Sequence, residues 1–94
     1  MELIDLSPFP GGEFIRQGLD HLGQGLESEA ALLVLIGAPR LRRLGFSLRN
    51  SAVGSPEQKL YELLSKSDPD SAHSRYNALI RRLVSFERAV ECAG

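Results

Sequence analysis

The chain has no tryptophan, a single cysteine, a single methionine and an aromatic share of 6% over 94 residues. Cys92 alone forms no internal disulfide, so packing has to hold the fold, as suits a reducing compartment. His21 and His73 are far apart in sequence and Cys92 sits near the end, so zinc-ligand spacing is absent and no metal is expected. The longest apolar run, Ala30 to Ala38, is nine residues, against about 20 for a membrane span. The opening Met-Glu-Leu-Ile-Asp-Leu carries acids where an export signal carries bases, so the expectation is a cytoplasmic protein with no membrane segment. There is no Gly-x-Ser-x-Gly, no Walker-type loop and no dinucleotide fingerprint, and Phe9-Pro10-Gly11-Gly12 reads as a turn. A non-enzymatic protein without a cofactor is expected.

What is present is ordinary globular composition, 43% hydrophobic and 24% charged, with leucine as the main core filler. The length suits a single domain over 1–94. So short a chain buries only roughly 60–65% of its extended surface, and a second copy covering one face would help it, so a homodimer is expected.

Periodicity predicts an all-α fold, a small bundle of four to five helices with an extended N-terminal arm. The arm is 1–12, where prolines and glycines forbid a helix and Ile4, Leu6 and Phe9 need an apolar surface, on their own domain or on a partner, making them candidate dimer contacts. Residues 12–23 place Phe14, Ile15, Gly18, Leu19 and Leu22 on one side, with Gly18 suited to close approach by another helix. Glu27-Ser28-Glu29 offers a cap and negative charge to an all-apolar helix at 30–36. Pro39 starts a short helix to Leu44, closed by Gly45, and 46–54 reads as a connector tethered by Phe46 and Leu48. Ser55-Pro56-Glu57-Gln58 fits a capping box opening a helix to about Lys66, with Glu62 and Lys66 as an i,i+4 pair. Asp68 before Pro69 caps a last helix over about 69–92, which reads as the organising element, with Ala72, Tyr76, Leu79, Ile80, Leu83, Phe86 and Val90 along its stripe. Glu87 projects into that stripe; edge exposure is the simplest account, since a buried carboxylate requires an Arg partner or a shifted pKa.

The net charge of -1 hides segregation. The first 35 residues are acidic, 36–54 carry four arginines and no acid, and 71–94 are again arginine-rich. On the far side of the last helix, Ser71, Ser74, Ala78 and Ser85 form a small-residue strip, with Arg75 and Arg82 on one edge and Arg81 and Arg88 on the other. Guanidinium groups bind carboxylate or phosphate bidentately, so this face suits an acidic protein partner, and the plainer account is a solvated surface. Arg40, Arg42, Arg43 and Arg49 make a second basic cluster, which either joins the first or is neutralised by Glu13, Asp20, Glu27 or Glu29. The leading expectation is a protein-interaction module, and the alternative is a nucleic-acid-binding domain using the same arginines. His73 and Asn77 at the stripe edge read as a boundary contact.

Arg16 and His21, four residues between them, resemble the Arg-x4-6-His motif of the HEPN family of helical ribonucleases, whose Arg and His handle the scissile phosphate without metal. The resemblance covers these two residues alone, and the RNA cleavage it implies stands third among the readings. A helix-turn-helix order is also visible at 29–44, but the second helix, about one and a half turns, is too short to read a groove.

Overall fold

The computed structural model of the protein describes residues 9–46, 48 and 54–93. Among them are five helices and no strand: α1 Gly12–Gly23, α2 Glu29–Ile36, α3 Ala38–Arg43, α4 Pro56–Ser67 and α5 Ala72–Ala93. This is the all-α bundle that the periodicity predicts. Ile4, Leu6 and Arg49, with most of the 46–54 connector, lie outside the described residues.

α1 begins after Gly11, which holds φ +71° while the Arg82 stem lies where a Cβ would be, 2.5 Å away. Both facts call for glycine there. Ile15, Gly18 and Leu22 form its buried stripe. Gly18 is the contact point with α2: a Cβ there would collide with the Ala30 carbonyl oxygen and come within 2.6 Å of the Val34 side chain. The close approach offsets what glycine costs a helix interior.

α2 starts at the Ser28 N-cap, whose hydroxyl accepts from the Ala31 N–H at 3.1 Å, with Glu29 in the first turn beside the positive end of the helix dipole. Ala30 through Val34 are all buried. Such a segment has no solvent face, and it touches α1, α3, α4 and α5. The hub is therefore α2, a correction to the expectation that the last helix organises the fold. A single cluster joins Ile15, Leu32, Leu33, Val34, Leu41, Leu60, Leu64, Leu83 and Phe86. Each such side chain is worth about 1.5–3 kcal/mol of burial before the entropy of ordering it is counted.

α3 places Leu41 in the core, and Gly45 at φ +103° ends the segment. Phe46 then packs at 5.9 Å on the Phe86 ring, which Phe9 meets edge-on at 6.0 Å. Phe9 thus spends its apolar surface on its own chain. Only half of the predicted capping box on α4 forms: Ser55 Oγ accepts from the Gln58 N–H at 3.4 Å, but the Gln58 amide turns forward to Glu62 at 3.2 Å. Glu62 is thereby engaged by Gln58 in place of the predicted Lys66. α5 begins at Ala72, three residues later than predicted, because the Asp68 carboxylate accepts from the Asp70 N–H (3.2 Å) and the Ser71 hydroxyl (2.9 Å) and ties Pro69–Ser71 into a turn. From there α5 runs without interruption to Ala93, packing on α4 and α2, with Tyr61 and Tyr76 edge to face at 5.8 Å. Among the described residues no helix is long and apolar enough to cross a membrane.

Candidate functional site

The outer side of α5 carries four arginines, and packing divides them into two pairs. Arg75 reaches across to α2, where its Nη2 donates to Glu29 Oε1 at 3.0 Å. Arg82 lies along Gly11, with its guanidinium carbon 5.7 Å from the Phe14 ring centroid. Arg75 is thereby tied to α2, whereas Arg82, laid on α1, stays exposed and in no ion pair with another described residue, so one rail of the expected groove is partly engaged and the other is free. That rail is Arg81 and Arg88, both exposed and neither in an ion pair with another described residue. Ser74, Ala78 and Ser85 are exposed beside them.

The second basic cluster is held differently. Arg40 pairs with Glu91 at 2.5 Å and stands 3.9 Å from Glu87, so α3 is pinned to the C-terminal part of α5 and not to the acidic first third of the chain. The Glu91 hydrogen bond raises the Arg40 pKa further and keeps it charged. Arg42 and Arg43 are exposed, and Arg43 shares a shallow open pocket with Arg40, Leu44 and Glu91.

Glu87 is 5% exposed, which overturns edge exposure. Room for it comes from Gly37, where a Cβ would sit 3.1 Å from Glu87 Oε2. Burial pushes its carboxyl above the usual range and Arg40 pulls it partly back. A buried carboxylate at this position calls for an arginine partner or a shifted pKa, and Glu87 has both. Elsewhere burial, with a smaller push from Glu57, raises the Tyr76 phenol.

Arg16 and His21 line one shallow patch of α1 with Glu13, Gln17, Asp20 and Gln24. His21 has a structural task that the sequence reading missed: its Nδ1 is 2.7 Å from Ser28 Oγ, the hydroxyl that caps α2. This His21–Ser28 hydrogen bond, whose direction is set by the imidazole tautomer, ties the end of α1 to the start of α2. The hint was a histidine in the last turn of one helix seven residues before the cap of the next. His73 and Asn77 hydrogen-bond to each other at 3.2 Å, as a boundary contact should. No group of three or more metal-ligating side chains occurs among the described residues. Comparison with family models, curated proteins and solved structures finds no match.

Proposed function

We propose that the protein is a non-enzymatic interaction module that presents the Arg81–Arg88 face of α5 to an acidic protein surface, acting as a homodimer in a reducing compartment. The observation that carries this reading is the two exposed guanidiniums, two turns apart on an unbroken helix and flanked by the exposed small residues Ser74, Ala78 and Ser85. Small side chains let a partner backbone come close, and a guanidinium gives up its hydration for a carboxylate more readily than an ammonium does. The free thiol of Cys92 accords with reducing conditions. The tethering of Arg40 to two carboxylates takes one guanidinium from the surface that nucleic acid would need, which favours an acidic protein over a phosphate backbone.

The test is fluorescence anisotropy with two labelled probes, a poly-glutamate peptide and a short DNA duplex. The reading expects saturable binding of poly-glutamate, weakened at least about tenfold in Arg81→Glu/Arg88→Glu and little changed in Arg75→Ala. Preference for the duplex, with log K falling linearly in log salt, would replace it with the nucleic-acid reading. An unchanged affinity in the charge-reversed variant would remove the face from either role.

A further inference from the structure

We infer that the acidic surface matching the Arg81–Arg88 face is the outer face of α1 on a second copy of this chain; this rests on the reading of that face as the binding surface. Part of the molecule's charge is already spent at home across helices: Arg75 on Glu29, Lys59 on Glu27, Arg40 on Glu91. Among the exposed charges that make no ion pair with another described residue are two like-signed pairs, each set seven residues apart on one helix. One is Arg81 and Arg88 on α5; the other is Glu13 and Asp20 on α1, with exposed Gln17 between them and half-buried Arg16 at the edge.

The two pairs have the same pitch. Each spans seven residues, two turns or about 10.5 Å along a helix axis, so laying one helix on the other aligns both cations with both acids at once. In the antiparallel arrangement Glu13 faces Arg88 and Asp20 faces Arg81. Ser74, Ala78 and Ser85 add no bulk to hold the helices apart. The other acidic helix surface fits less well, because Glu57 and Glu62 on α4 are five residues apart and interleaved with Lys59 and Lys66.

Within one chain α5 meets the start of α1, where Arg82 crosses onto Gly11 and Phe14. A two-fold arrangement that places each α1 on the other copy's α5 makes the charge contact twice. Exposed ion pairs are individually weak and screened by salt, so the assembly is weak, with a dissociation constant on the order of 0.1–1 mM at low salt.

Sedimentation velocity of the full chain at about 1 mM, in roughly 20 mM and 500 mM salt, tests this. The wild type is expected to exceed the monomer mass at low salt and to return to it at high salt. Arg81→Glu/Arg88→Glu and Glu13→Lys/Asp20→Lys are each expected to be monomeric at low salt. Mixed in equal amounts they should associate, because each then offers what the other lacks. Glu13→Gln/Asp20→Asn, which introduces no like charge beside Arg82, should weaken association at least about fivefold, and circular dichroism checks that every variant keeps its helices. A wild type that stays monomeric, an Arg81/Arg88 variant that still self-associates, or a mixture of folded variants that stays apart would each overturn the inference. A monomeric wild type that still binds poly-glutamate through Arg81 and Arg88 would leave the interaction face standing and remove only the second copy as its partner.

Discussion

α2 and α5 invert the usual relation between the length of a helix and what depends on it. α2 has eight residues and buries five of them, while α5 has 22 and buries four. The short helix touches every other helix; the long one offers a full outer side to solvent. Apolar area removed from water is the dominant favourable contribution to folding, so stability is concentrated in α2, whereas the surface chemistry of α5 is free to vary without cost to the core. The same division runs along α5 itself. Arg75 and Arg82 belong to the fold, through Glu29, Phe14 and Gly11, while Arg81 and Arg88 belong to the surface.

The contrast is broken most directly by Leu33→Ala in α2. Leu33 is fully buried, so the truncation removes transfer energy and leaves a cavity, about 2–5 kcal/mol in all. In a domain of this size each kcal/mol moves Tm by about 4–8 °C, and a thermal melt followed by circular dichroism reads a loss of tens of degrees or no folded state at all. A loss under about 1 kcal/mol would show that α2 is not the hub. Gly18→Ala comes next, at about 1–3 kcal/mol, because the new methyl meets the Ala30 backbone rather than a side chain that can rotate away. The substitution would ordinarily favour a helix, so a higher Tm would mean that α1 and α2 do not touch at this point.

Much of the fold was legible because its signals are local. Alternation at helical spacing marks α1, an acid and a serine ahead of an all-apolar run mark α2, and Gly18 inside an apolar stripe announces a close contact. The start of α5 was misplaced for a reason equally local: Asp before Pro fits a helix cap and an Asp-centred turn alike, and here the Ser71 hydroxyl and Asp70 N–H stabilise the turn. The candidate face was only half legible. Which arginines stay free depends on how α5 is rotated against α1 and α2, and the contacts that settle it, Arg75 with Glu29 and Arg82 with Phe14, join residues distant in sequence. Periodicity gives the rotation of a helix about its own axis relative to its apolar stripe, but not which carboxylate a neighbouring helix will bring to the edge of that stripe. Arg75 and Arg81, one on each edge, look alike from sequence and differ in the fold.

A finer probe is Glu87, which α5 contributes to the interior that α2 otherwise dominates. Its folded pKa is raised by burial, so the stability it contributes is complete below the ordinary carboxylate range, about 4.5, and is lost as pH rises through the raised value. Asp68 behaves oppositely. The Ser71 hydroxyl and the Asp70 N–H lower its pKa, so its contribution is present above about 3.8 and is lost as pH falls through the lowered value. Glu87→Gln should therefore gain on the wild type between pH 4.5 and 8, with melts at the two ends showing a Tm difference that grows in favour of the variant. A difference independent of pH would mean that Glu87 is as well solvated folded as unfolded.

The smallest expected effect separates the two arginine pairs. Arg75→Ala gives up an ion pair whose partners are partly exposed, worth about 0–1 kcal/mol, whereas Arg81→Ala gives up none among the described residues and should stay within about 0.5 kcal/mol of wild type. The useful measurement is the salt dependence, because the Arg75–Glu29 pair is screened as ionic strength rises and Arg81 has no such pair to lose. Urea melts at low and high salt should bring Arg75→Ala and wild type together at high salt, while the difference between Arg81→Ala and wild type stays where it was. If Arg81→Ala behaved like Arg75→Ala, that guanidinium would be engaged within its own chain, and the outer face of α5 would have no cation pair left to offer a partner.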